Sequence, residues 1–254
     1  MPSRTAPTQP TLQRSALHPY TLPLSRRQLL KVLGASACTA TLGGLLAACS
    51  DASGSAPGLD VPVGSFTAAR VSVPCGLAGG GGVIGSADDP ASFSGAGRSR
   101  AQVLWFATGF VEYTVPVPPL AFAALEVSAE LCSEANLHNS DYPSDITLWL
   151  NGTAVGSWTS PGDFGDRPGR LTPGWWDPRF SQYGRLKTWR IDAAGSFLDG
   201  AQVSEVTLAE LALEQNFTLR LGVAEDARNV GGLNLFGEGF GDYGQGIGVT
   251  YAPS

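Results

Sequence analysis

Apolar and polar residues alternate with a period of two from position 61 onwards. In residues 121–131, Leu125 and Val127 alternate with Glu126 and Ser128, which is typical of a strand with one buried face. Similar alternation or short apolar runs predict further strands at residues 103–106, 110–115, 186–191, 217–223, 233–236 and 247–251. Only residues 205–211 have a helical pattern, of about two turns.

Residues 145–159 are predicted to form a β-hairpin. Asn151-Gly152 lies between two strand-like runs, and both residues readily adopt the positive φ angles that a two-residue type I′ turn requires. Such a turn would place Leu148 opposite Val155 on one face. Many short strands with Gly- and Pro-containing turns and almost no helix predict an all-β fold. We therefore expect residues 61–254 to form a β-sandwich or jelly roll, galactose-binding-like and with long loops.

The N-terminus has the pattern of an export signal. Ser25-Arg26-Arg27-Gln28-Leu29-Leu30-Lys31 is a twin-arginine motif, and residues 32–48 are apolar but interrupted by glycines, too short a run for a stable membrane span. Leu46-Ala47-Ala48-Cys49 resembles a bacterial lipobox. We predict a twin-arginine lipoprotein signal peptide with its signal helix at 1–48, lipid on Cys49 and a tether at 49–60. The protein would be anchored at the outer face of the bacterial cell membrane.

Cleavage after residue 48 would leave a strongly acidic protein. The signal segment holds five basic residues and no acid, whereas the whole chain has 16 Lys and Arg and 22 Asp and Glu. The remainder would have 11 basic and 22 acidic residues, a net charge near −11. Such a surface repels phosphate backbones and anionic lipids, so we expect no nucleic-acid partner.

Several common catalytic and cofactor motifs are missing. His138 would be the single histidine after cleavage, and the sequence contains neither a G-x-S-x-G nucleophile elbow nor a P-loop. Zinc and iron sites need several imidazoles or thiolates. Calcium on Asp163, Asp166 or Asp242 has no recognisable ligand spacing to support it. We therefore predict no cofactor, no metal and no catalytic residue.

Two segments combine aromatic and polar side chains within Gly-rich sequence. We call residues 160–184 the first segment and residues 234–245 the second segment. Sugars bind by stacking their C–H faces on aromatic rings while polar side chains hydrogen-bond their hydroxyls. The two segments supply both kinds of group and so predict a small polar ligand, such as a carbohydrate. The candidate binding residues are Asp163, Asp166, Arg167, Trp175, Trp176, Tyr183, Asn234, Glu238, Asp242, Tyr243 and Gln245.

Two other hypotheses fit the same segments. A glycan hydrolase needs two carboxyl groups in a cleft, which Glu238 or Asp242 could supply together with Asp163 or Asp166. A structural or assembly module would instead use the tryptophans to close the sandwich, with Asp166, Arg167 and Arg170 as a local salt-bridge cluster.

The chain resembles the C-terminal portion of bacterial ArsR-like winged-helix regulators over residues 71–250. The matching runs are Cys75-Gly76-Leu77, Asp88-Asp89-Pro90, Gln102-Val103-Leu104-Trp105-Phe106, Gly109-Phe110-Val111-Glu112-Tyr113, Glu130-Leu131-Cys132-Ser133-Glu134, and residues 144–173, 182–190, 197–200 and 230–247. An export signal replaces the DNA-binding domain of those regulators. The resemblance implies a sensor or assembly module and identifies no ligand.

Two cysteines, Cys75 and Cys132, would remain unmodified after export and lipidation. A disulfide is permitted outside the membrane, and two buried thiols are the alternative. The similar cytoplasmic regulators also contain both cysteines, which favours the thiols.

Overall fold

The computed structural model describes residues 58–253. The twin-arginine motif, the lipobox and residues 49–57 of the predicted tether lie outside the described residues. Strand β1 begins at Gly58, three residues before the predicted start of the domain. Its backbone pairs with β15, and the Asp60 carboxylate accepts a hydrogen bond from the backbone N–H of Gly246 at 2.7 Å. The sequence predicted a tether at residues 58–60 from their composition. Strand pairing uses backbone N–H and C=O groups, so composition does not reveal it.

The described residues form strands joined by short 3-10 turns. The strands are β1 (Gly58–Val61), β2 (Ala68–Val71), β3 (Cys75–Gly79), β4 (Gly82–Val83), β5 (Val103–Phe106), β6 (Gly109–Pro116), β7 (Phe122–Cys132), β8 (Ser144–Leu150), β9 (Thr153–Ser160), β10 (Arg185–Asp192), β11 (Gly195–Leu198), β12 (Ala201–Ser204), β13 (Asn216–Val223), β14 (Leu233–Phe236) and β15 (Ile247–Pro253). The 3-10 turns are Val63–Ser65, Pro90–Ser94, Ala96–Arg100 and Leu208–Leu211. None of the described helices is long and apolar enough to cross a membrane.

Two antiparallel sheets form a β-sandwich, as the sequence predicts. The larger sheet has the order β12-β11-β10-β7-β14-β5-β3-β4, with β15 also paired to β7 and β1 paired to β15. The smaller sheet has the order β2-β6-β13-β8-β9. One edge of β7 is shared between two partners, with β15 along its first half and β14 along residues 130–132. The chain between β14 and β15 therefore leaves the larger sheet at the point on β7 where its partner changes from β15 to β14.

The main core lies between the sheets. Trp189, Phe106, Tyr113 and Phe217 are among its largest fully buried side chains. The Tyr113 hydroxyl donates to the Val63 carbonyl at 2.7 Å, so this buried polar group is satisfied.

A second apolar cluster covers the outer face of the larger sheet. Leu104 and Leu235 belong to the main core, whereas their neighbours Val103 and Phe236 belong to the second cluster, as the two-residue period of a strand requires. Phe164 of the first segment packs on this face. The first segment is therefore a cover over the outer face, and it positions the candidate site.

Several sequence predictions need correction in detail. The Asn151-Gly152 turn is present, with φ angles of 47° and 79°, but a bulge places Leu148 opposite Gly156 and not opposite Val155. The helix predicted at 205–211 is a single 3-10 turn over Leu208–Leu211, because the next residue, Ala212, has a left-handed backbone conformation (φ 46°) that ends it.

No disulfide joins Cys75 to Cys132. Both are free and buried, Cys75 in the main core and Cys132 in the second cluster. Because the two side chains lie on opposite faces of the larger sheet, a bond between them would have to pass through the sheet.

Candidate functional site

The first segment is fixed to the larger sheet by a buried carboxylate. Asp163 has no solvent exposure and accepts hydrogen bonds from the Ala135 N–H at 3.0 Å and from the Ser181 hydroxyl at 2.9 Å. Burial raises the pKa of Asp163, and these two hydrogen bonds oppose that rise. Asp163 therefore holds the two ends of the first segment against the loop after β7.

The second segment is fixed by another buried carboxylate. Glu130, on the outer face of β7, accepts hydrogen bonds from the backbone N–H groups of Asp242 (2.8 Å), Tyr243 (2.9 Å) and Gly184 (2.8 Å). Burial raises the pKa of Glu130, whereas the three N–H donors lower it. One side chain thus connects the second segment to the end of the first.

An ion pair joins the two segments directly. The Arg167 guanidinium donates to both carboxylate oxygens of Asp242, with Nη1 at 3.1 Å from Oδ1, and it lies 3.7 Å from the centre of the Tyr183 ring. Asp242 also accepts from the Arg170 N–H at 2.9 Å. The bond from Arg167 is the main reason that the pKa of Asp242 is lowered. The sequence predicted a local salt-bridge cluster of Asp166, Arg167 and Arg170. Two of its members, Arg167 and Arg170, instead bond to Asp242 and so link the first segment to the second.

A cavity of about 210 Å³ lies on the outer face of the larger sheet. Its aromatic wall consists of Trp105 from β5 and Trp176 and Phe180 from the first segment. The Trp105 and Trp176 rings lie 5.7 Å apart in an edge-to-face arrangement, and Trp176 and Phe180 are also 5.7 Å apart. We call this cavity the tryptophan pocket. Its remaining lining residues are Pro74, Val83, Ala87, Asp88, Glu134, Ala135, Asn136, Ser181 and Asn234.

Cross-strand register explains why Trp105 and Asn234 line the pocket together. Gly76, Trp105, Asn234 and Cys132 lie opposite one another across β3, β5, β14 and β7. All four positions face outward, because each neighbours a residue that packs in the main core. Trp105 and Asn234 are thus held side by side on rigid strands rather than on loops.

Asn234 supplies the pocket with an open acceptor. Its side chain is 2 % exposed, and the two hydrogens of its Nδ2 are shared among three acceptors, the Ser133 carbonyl (2.7 Å), Glu134 Oε2 (2.7 Å) and the Ser181 hydroxyl (2.9 Å). The Ser133 carbonyl can only accept, so this orientation of the amide is fixed. Asn234 Oδ1 has no hydrogen-bond partner among the described residues.

Glu134 and Asp88 bring two carboxyl groups to the pocket wall. Burial raises the pKa of Glu134 well above its usual value, the nearby Asp163 and Asp88 carboxylates raise it further, and the hydrogen bond from Asn234 opposes the rise. Asp88 accepts one hydrogen bond from the Cys75 N–H at 3.1 Å.

The predicted binding residues fall into several places. Trp176 and Asn234 line the tryptophan pocket. Trp175 is 43 % exposed next to it and donates from Nε1 to the Gly80 carbonyl at 3.1 Å. Asp166, Arg167, Tyr183 and Asp242 form the link between the segments, in which Asp166 accepts from the Tyr183 hydroxyl at 2.6 Å.

The other predicted residues lie apart from the pocket. Tyr243 is exposed, and Gln245 donates to the Ser128 hydroxyl at 3.1 Å. Glu238 lines a separate cavity of about 210 Å³ together with Asp60 and Arg100. Asp163, near the start of the first segment, is buried and faces no solvent.

The carboxyl pairs of the hydrolase hypothesis do not share a cleft. Glu238 lies in the separate cavity, Asp163 is buried, and Asp242 is engaged by Arg167. Asp166 accepts a hydrogen bond from the Tyr183 hydroxyl and lines neither of the two cavities. In the part of the chain that the structure describes, no group of three or more His, Cys, Asp or Glu side chains is arranged to hold a metal ion.

Five lining residues with suitable chemistry were missed by the sequence-based selection. They are Asp88, Trp105, Glu134, Phe180 and Ser181. Asp88, Trp105 and Glu134 all lie within the runs that carry the resemblance to the ArsR-like regulators. Attention to aromatic and acidic residues in those runs could have identified them.

No family model matches the chain, and the search of curated proteins found no relative. Among solved structures, the chain is similar to the CBM36-1 domain of a multidomain xylanase from the hindgut metagenome of Trinervitermes trinervoides, with 14% identity and a TM-score of 0.36 over 78% of this chain and 100% of that one. It is also similar to a CBM36 module in complex with calcium and xylotriose, with 8% identity and a TM-score of 0.33 over 77% and 99%.

A third similar structure is the C-terminal CBM6 of a marine laminarinase from Zobellia galactanivorans, with 11% identity and a TM-score of 0.33 over 76% of this chain and 99% of that one. These scores are too low to transfer a ligand or a residue role, so the site must be understood from its own contacts. The resemblance to ArsR-like regulators stays a prediction.

Proposed function

We propose that this domain is a noncatalytic carbohydrate-binding module and that the tryptophan pocket is its binding site. The observation that carries the proposal is that Trp105 and the open acceptor of Asn234, both on the larger sheet, meet Trp176 of the first segment around one cavity. Trp105 and Trp176 provide apolar surface for the C–H face of a sugar ring, and Asn234 Oδ1 accepts a hydroxyl hydrogen.

The size of the pocket favours a small ligand. Its volume of about 210 Å³ is below the range of roughly 300–1,000 Å³ that is usual for drug-sized ligands. A pocket of this size suits a single sugar residue. Its open side would let the rest of a glycan extend into solvent.

We also propose that the domain is exported by the twin-arginine route and anchored through lipid on Cys49. The signal motif, the apolar run and the lipobox occur in the order that such a protein requires. An anchored binding module would hold a glycan near the outer face of the cell membrane.

Binding can be tested with the purified protein and a panel of oligosaccharides in isothermal titration calorimetry. We expect at least one member to bind, and Trp176→Ala to weaken that binding by about tenfold or more, because aromatic anchors carry much of the binding free energy. Trp149→Ala is the matched control, since Trp149 lies on the smaller sheet.

The structural-module hypothesis makes a different prediction. The first and second segments do pack on each other, with the Trp175 and Trp176 rings 6.1 Å and 5.4 Å from the Phe240 ring. If no glycan binds while the protein is folded, this packing would be the whole role of the segments and the carbohydrate proposal would fail.

A further inference from the structure

The tryptophan pocket has an acidic wall with no basic side chain on it. Its lining includes the carboxyl groups of Asp88 and Glu134 and no Lys, Arg or His. A third carboxylate, Asp163, lies behind Ser181, which is hydrogen-bonded to both Asp163 and Asn234. Clefts lined by one sign of charge concentrate ligands of the opposite sign.

The basic residues of the first segment do not neutralise this wall. Arg167 pairs with Asp242, Arg179 pairs with Asp177 at 2.7 Å, and Arg170 does not line the pocket. Both acidic partners lie outside the pocket lining. The two carboxyl groups of the pocket wall are therefore left without a basic partner from the first segment.

The open polar atoms of the pocket are hydrogen-bond acceptors. Asn234 Oδ1 has no partner among the described residues, although its side chain is almost completely buried. Glu134 receives one hydrogen bond, from Asn234, and Asp88 receives one, from the Cys75 N–H, so each carboxyl group retains an oxygen for a ligand. The Ser181 hydroxyl is already used between Asn234 and Asp163. An ammonium group matches such a site, because it has three donors and no acceptor.

The aromatic wall favours the same charge. The faces of Trp, Tyr and Phe rings attract cations, and Trp attracts them most strongly. Trp105, Trp176 and Phe180 therefore add a cation-binding surface next to the carboxyl groups.

We propose that the ligand carries a protonated amine, and specifically that the pocket selects an unacetylated amino sugar over a neutral or N-acetylated one. The sugar ring packs on the tryptophans, and its ammonium group contacts Glu134, Asp88 and Asn234 Oδ1. This inference rests on the proposed carbohydrate-binding function and adds the charge of the ligand to it.

A set of matched glycans tests the inference. Calorimetric titration of the full-length protein with glucosamine, N-acetylglucosamine and glucose oligosaccharides of equal length should give about tenfold tighter binding of the glucosamine compound, because hydrogen bonds to charged groups are stronger than neutral ones. Glu134→Gln should lower that affinity to the level of the acetylated compound.

Glu238→Gln is the matched control, since it makes the same substitution in the separate cavity. It should leave the preference for glucosamine unchanged. A preference that survives Glu134→Gln, or falls equally in both variants, would mean that the overall negative charge attracts the amine, and the inference would be wrong.

The two proposals fail differently. Equal affinity for the three glycans, or tighter binding of the acetylated one, would overturn the amine selectivity and leave the carbohydrate-binding function in place. Binding of none of them, nor of any glycan in the wider panel, would overturn both.

Discussion

The indole of Trp105 lies directly over Gly76, its cross-strand neighbour in the larger sheet. A Cβ atom at position 76 would lie 2.2 Å from the Trp105 ring, far inside van der Waals contact. The lack of a side chain at Gly76 is what lets the tryptophan lie against the sheet as part of the aromatic wall of the pocket.

Gly76→Ala should therefore displace Trp105. We expect a loss of about 1–3 kcal/mol in the free energy of unfolding, as is usual for overpacking, together with weaker glycan binding. Gly80→Ala is the control, because a Cβ there would meet no atom within 4 Å. Urea unfolding and calorimetry measure the two effects. Wild-type affinity in Gly76→Ala would mean that Trp105 is not part of the site.

Asp242→Ala should weaken the connection between the two segments without emptying the pocket. Asp242 receives three hydrogen bonds, two from the Arg167 guanidinium and one from the Arg170 N–H, so we expect a loss of about 1–3 kcal/mol of stability. Glycan affinity should change little, because Asp242 does not line the pocket.

The control for Asp242→Ala is Glu225→Ala. Glu225 and Arg70 form an ion pair at 3.6 Å with side chains 74% and 79% exposed, so its removal should leave the unfolding midpoint unchanged. Equal midpoints for both variants would contradict the role given to Asp242.

Glu134→Gln should stabilise the protein at neutral pH. The pKa of Glu134 is raised in the folded protein by burial and by Asp163, so the folded state binds this proton more tightly than the unfolded chain. Its contribution to stability is therefore lost as pH rises through and above the usual carboxyl range. Urea unfolding between pH 4 and pH 8 should show a smaller decline in the variant than in the wild type. An unchanged slope would mean that Glu134 is ionised at the same pH in both states.

The two buried cysteines should behave as unreactive thiols in the folded protein. Burial raises the pKa of Cys75 to about 11, with Asp88 and Asp89 adding to the rise, and burial also raises the pKa of Cys132. Alkylation followed by peptide mapping should label both cysteines only after unfolding, with no reductant needed. A Cys75–Cys132 disulfide-linked peptide would contradict the structure.

Much of the sandwich is predictable because its strands show either alternating apolar and polar residues or short apolar runs. The runs at 103–106 and 233–236 coincide with β5 and β14. Strand β3 was not predicted, because Gly76 and Gly79 give it the composition of a loop. Its glycines are required by packing against Trp105 and the Arg100 carbonyl, which are contacts between distant parts of the chain.

The site was predictable only in its chemistry. Aromatic and polar residues of both segments do meet, through Arg167 and Asp242. Which of them face a cavity depends on sheet register. Asn234 is brought to Ser133 and Glu134 across about 100 residues of sequence by the pairing of β14 with β7, and no local pattern contains that information.

The most direct test of the central claim is fluorine NMR of the protein labelled with 5-fluorotryptophan during titration with a binding glycan. Resonances are assigned with Trp105→Phe and Trp176→Phe. We expect the Trp105 and Trp176 signals to shift with the glycan concentration, while those of Trp149 on the smaller sheet and Trp189 in the main core stay in place. Shifts confined to Trp149 or to other tryptophans outside the pocket would place the glycan elsewhere and contradict the account.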